Sequence, residues 1–106
     1  MNDNGEKVMG LASLIAQAES CLENETTPIE IQQVIAKIFT EINLSQELLA
    51  SLPYHLRREY ERLEDEIAEK KERGDTMGML ATAIEILRIM TAALSQQKTL
   101  QKGREI

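Results

Sequence analysis

The sequence predicts an all-α fold, a small antiparallel helical bundle of four helices, or five if the second breaks near Asn43. Three observations predict it. Aromatic residues make up only 3% of the chain, and Leu, Ile, Met, Ala, Glu, Gln and Lys dominate, a composition of helix formers with few strand residues. Apolar positions recur every three or four residues in successive segments. Pro28, Pro53 and Gly74 fall at the edges of those segments, where proline starts a helix and glycine ends one.

The first helix is predicted over residues 6–23, where Val8, Leu11, Ile15, Ala18 and Leu22 share one stripe and Met9, Leu14 and Cys21 widen it. The second opens at Thr27-Pro28: Thr27 can cap, Pro28 suits the first helical position and Glu30 completes a capping box. Its stripe is Ile31, Val34, Ile35, Ile38, Phe39 and Ile42. A bend or break is expected at residues 43–45, because Asn43 or Ser45 can cap a new short helix. Leu48, Leu49 and Leu52 continue the apolar set up to Pro53, which disfavours helix at Leu52.

The third helix is predicted over residues 53–73, with a narrow stripe of Leu56, Tyr60, Leu63 and Ile67 on an otherwise charged cylinder. Acid-first pairs four residues apart, such as Glu66 with Lys70 and Glu69 with Arg73, explain those charges as a solvated face. Gly74 ends the helix, Asp75 or Thr76 can cap the next, and a helical hairpin follows. The fourth helix, residues 76–101, carries Met77, Leu80, Ile84, Leu87 and Leu94 on its main stripe, widened by Ile86, Ile89, Met90 and Ala93. These positions cover more than half of the circumference and leave Glu85 and Arg88 on the polar remainder. Such a helix must be surrounded, by its own bundle or by a second chain.

With 106 residues and 42% apolar content the chain suits one core and one domain, residues 1–106, with 1–5 and 102–106 expected to fray. Cys21 is the single cysteine, so it makes no internal disulfide and reads as a packing residue in a reducing compartment. The polar, acidic start of the chain has no secretory character, and the expected location is cytoplasmic. The one stretch of membrane length, residues 77–94, holds Glu85 and Arg88 near its middle, which argues against a span.

The chemistry of known sites is poorly represented. His55 is the only histidine, which removes zinc sites built from several Cys and His and di-iron sites built on paired Glu-x-x-His units. Glu61 with Glu64 and Glu66 with Glu69 have the spacing for half of a carboxylate Mg²⁺ site, but the fourth helix offers only Glu85 opposite them. No phosphate-cradling glycine loop or catalytic serine motif is present. No enzymatic activity, metal, cofactor or small-molecule substrate is therefore expected.

Charge also speaks against nucleic acid as the main partner, since the chain carries a net charge of -6 and residues 1–56 hold two lysines against eight carboxylates. Five methionines and the wide apolar girth of the fourth helix point instead to gripping another protein or a second copy of this chain. The expected function is a non-catalytic protein-protein interaction module, an adaptor, regulator or small chaperone. Its predicted partner-binding residues are Met77, Leu80, Ile84, Ile86, Leu87, Ile89, Met90 and Leu94, with part of the first helix. The alternative is a nucleic-acid-associated accessory regulator using a helix-turn-helix-like segment at residues 31–52 or a basic face of Arg57, Arg58 and Arg62.

Overall fold

The computed structural model describes residues 3–24 and 26–104 and, within them, the side chains of residues 5–24 and 26–96. Five helices follow one another: α1 (Asp3–Glu23), α2 (Pro28–Leu44), α3 (Gln46–Ala50), α4 (Tyr54–Glu72) and α5 (Thr76–Arg104). No strand occurs among the described residues. At a rise of about 1.5 Å per residue, the 29-residue α5 accounts for most of the 49 Å long axis.

Local chemistry sets the helix ends. Thr27 is extended at φ -65°, ψ 148°, and its hydroxyl accepts the Glu30 amide at 3.3 Å, with Pro28 opening α2. The expected break falls at Ser45: its amide donates to the Ile42 carbonyl at 3.2 Å, tightening the last turn, and its side chain makes no cap bond to α3. The short α3 ends before Pro53, and Arg57 Nη1 reaches back to the Ala50 carbonyl at 2.9 Å, satisfying a helix-end acceptor.

Between α4 and α5, Gly74 adopts φ +71°. The Asp75 amide bonds the Lys70 carbonyl at 2.9 Å and the Gly74 amide bonds that of Lys71 at 3.1 Å, the two bonds of a Schellman ending. Asp75 then caps α5 by accepting the Gly78 amide at 2.9 Å. A Cβ at Gly78 would collide with the Asp75 carboxylate, so glycine there lets the cap fold closely over the first turn. Lys70 Nζ donates to Thr82 Oγ1 at 2.8 Å and Thr82 donates to the Gly78 carbonyl at 3.0 Å, which ties α4 to α5 through a buried threonine.

α5 is the axial helix. α1, α4 and α2 all pack along it, whereas α2 touches α1 and has no comparable contact with α4. The α2 and α4 stripes converge as read from the sequence, Ile31 to Ile42 and Tyr60, Leu63 and Ile67, whereas α1 turns Leu11, Leu14, Ala18 and Cys21 inward, leaves Val8, Ile15 and Leu22 only partly buried, and exposes Met9. α3 adds Leu49 to the same cluster. On the outer side of α5, Arg88 Nη2 meets Glu19 Oε2 of α1 at 2.9 Å. Within the expected frayed ends, Asp3–Gly5 and residues 102–104 are helical in backbone, and residues 1, 2, 105 and 106 lie outside the described residues.

Residues 76–96 within α5 are long and apolar enough to cross a membrane by length and composition, and 56% of an 18-residue window in that stretch is buried inside the fold. A core helix meets the same criterion, because burial in protein and burial in lipid select the same side chains.

Candidate functional site

The predicted partner-binding arc on α5 is largely covered by the chain itself. Leu80, Ile84, Ile86, Leu87, Ile89, Met90 and Leu94 are buried, and Met77 alone, 40% exposed, reaches solvent. Three helices cover the arc because each presents a single apolar stripe toward α5. In this closed form a partner meets those seven side chains only where clefts between the outer helices lead down to α5.

Two clefts do so. One lies between α2 and α4, which pack against each other far less than either packs on α5, and has a volume of about 360 Å³. Ile86 lies at its base, Phe39, Ile42, Tyr60 and Ile67 line it, and Asn43, Gln46, Glu64 and Lys71 supply its polar groups. Burial pushes the Tyr60 phenol up to about 12, the Glu64 carboxylate adds to the shift, and Gln46 opposes it. The folded state therefore holds the phenolic proton more tightly than the unfolded chain. Its stabilising contribution is complete below the ordinary value of 10 and is lost as pH rises from 10 to about 12. Urea midpoints measured on either side of that window should fall with pH in the wild type and fall less in Tyr60→Phe, which has no proton to lose.

The second cleft, about 450 Å³, opens where α1, the end of α2, α3 and α5 come together. Leu11, Leu48 and Leu94 form its apolar lining, and Leu44 stands at its lip with 76% of its surface exposed. Leu44 faces outward because the five buried residues of α2, Ile31, Val34, Ile35, Ile38 and Ile42, occupy the opposite side of that helix. Lys7, Glu41 and Glu47 also border this cleft. Sequence patterning passes over Leu44, since a lone leucine at a helix end carries no periodic signal. A third depression, between α1 and α2, sets Leu11, Leu14 and Ala36 beside Glu6, Lys7, Gln17, Lys37 and Glu41.

Charged candidates are occupied with one another. Arg57 pairs with Glu61 at 3.5 Å, Arg62 with Glu59 and with Glu66 at 2.6 Å, and Arg73 with Glu69 at 3.9 Å. Arg62 holds the Glu59 carboxyl below its usual value through their hydrogen bond. Of the basic face, Arg58 alone lacks a carboxylate; it lies 5.8 Å from the centre of the Tyr54 ring and bonds its hydroxyl at 3.1 Å. His55 is exposed and makes no side-chain hydrogen bond among the described residues. No group of three or more His, Cys, Asp or Glu poised for a metal occurs among the described residues. Replacing both Glu64 and Glu66 with Gln should shift stability by less than about 1 kcal/mol, because exposed pairs contribute little. Melting temperatures with and without Mg²⁺ check this, and a Mg²⁺-dependent gain present in wild type and lost in the variant would overturn it.

In the segment 31–52, one residue separates α2 from α3, α3 is five residues long, and its Leu49 is buried toward α5. The exposed side chains of α3, Gln46, Glu47 and Ala50, include no cation for phosphate.

No protein family, characterised protein or solved structure matches this chain in comparisons of sequence and fold.

Proposed function

We propose that the chain is a non-catalytic helical protein-protein interaction module, an adaptor, regulator or small chaperone of the cytoplasm, whose four long helices act as an antiparallel bundle. The observation that supports this reading most directly is Leu44, a large aliphatic side chain 76% exposed at the lip of a leucine-lined cleft. An exposed aliphatic side chain beside a hollow that holds Leu11, Leu48 and Leu94 among polar groups supplies the anchors of a docking point, where a few well-packed side chains give most of the binding energy. The wide arc of α5 then serves as the support beneath the docking face, contributing Leu94 to its lining.

Affinity capture from extracts of the source cells, with wild type and Leu44→Asp in parallel, tests this reading. Proteins retained by wild type in high salt and lost by the variant are the expected result, because apolar contacts survive screening. Recovery of nucleic acid instead, released steeply as salt rises, would overturn it in favour of phosphate binding.

A further inference from the structure

The ring of charge around Leu44 names one occupant for the leucine-lined cleft. Lys7 borders it on the α1 side, with Glu41 of α2 and Glu47 of α3 on the same rim. None of the three enters an ion pair among the described residues, although the charges along α4 are largely paired within the chain. The patch thus holds an outward apolar knob, a hollow that sets Leu11, Leu48 and Leu94 among polar groups, a cation and two carboxylates side by side. In a two-fold interface residue i of one copy meets j of the other and j meets i, so one axis can set each knob against the other's hollow and each cation against the other's carboxylates.

We infer that a second copy of this chain docks on this face. Leu44 of each protomer enters the cleft lined by Leu11, Leu48 and Leu94 of the other, and Lys7 faces the Glu41–Glu47 side across the axis. The patch is small, so the dimer belongs to the weak, concentration-dependent class rather than the obligate one. The charges choose the two-fold register, while the leucines supply the affinity. This inference rests on the interaction-module reading and specifies its partner.

The test is the solution mass by light scattering, with the chain at concentrations from about 10 µM to about 1 mM, the range in which interfaces of this size associate. The wild type should move from 12.0 kDa toward twice that mass as concentration rises. Leu44→Asp should stay monomeric with an unchanged melting temperature in dilute solution, because it places a carboxylate beside the partner's carboxylates. Lys7→Glu should weaken association at least about tenfold, and Lys7→Glu combined with Glu41→Lys and Glu47→Lys should restore it. A wild-type mass of one chain throughout the range, or a dimer indifferent to Leu44→Asp, overturns the inference. Either result leaves the capture experiment to decide the broader reading separately, since a monomer that still retains salt-resistant proteins is an interaction module with a different partner.

Discussion

Leu87→Asp should abolish cooperative unfolding of this domain. Leu87 is 0% exposed on the axial helix α5, within the apolar cluster that α1, α2, α3 and α4 complete. The substitution removes a buried leucine, worth about 1.5–3 kcal/mol of transfer free energy. It also asks a carboxylate to be buried beside Ile and Met neighbours or to bind a proton, which costs several kcal/mol more. A domain of this size has about 5–15 kcal/mol in total, so the two losses together consume most or all of it. Far-ultraviolet circular dichroism during a thermal scan should show low helicity at the outset and no sigmoidal transition. A variant with the wild-type midpoint would show that α5 does not form the centre of the core.

Ile38→Ala should lower stability by about 2–5 kcal/mol, the range for deleting a large aliphatic side chain from a buried site. Ile38 is 0% exposed and sits in the cluster that joins α2 to α5. Leu44→Ala on the same helix should change stability by no more than about 0.5 kcal/mol when measured at dilute protein, because its side chain already meets water in the folded chain. Urea titrations give both values, with an unchanged slope showing that the cooperative unit is intact. The contrast matters for function as well as folding: a large loss at Leu44 would mean that the chain uses it internally and that the proposed docking face is core.

Much of the fold was legible in the residues because helix formation and helix ends are local. The threonine cap before Pro28, the left-handed Gly74, the Asp75 cap and the break at Ser45 depend on a few neighbouring dihedrals and hydrogen bonds. The apolar stripes were equally readable, since the 3.6-residue repeat places Leu63 and Ile67, or Val34 and Ile38, on one side of a helix. The functional face was far less so. The surplus of apolar girth on α5 indicated that the helix had to be enclosed, and the enclosing surface could equally have belonged to a second chain.

Sequence by itself determined the secondary structure, the main break points and most of the core side chains, because each follows from interactions within a turn or two of helix, while Met9 and Met77 of the stripes it indicated stand exposed. Only the tertiary structure decided that the chain's own outer helices bury nearly all of the α5 arc, that α2 leaves α4 and opens a cleft, and that Leu44 is left exposed beside Lys7, Glu41 and Glu47. Those outcomes depend on how helices distant in sequence share one axial helix. That sharing is set by the relative rotation and crossing of whole stripes, which no local periodicity encodes.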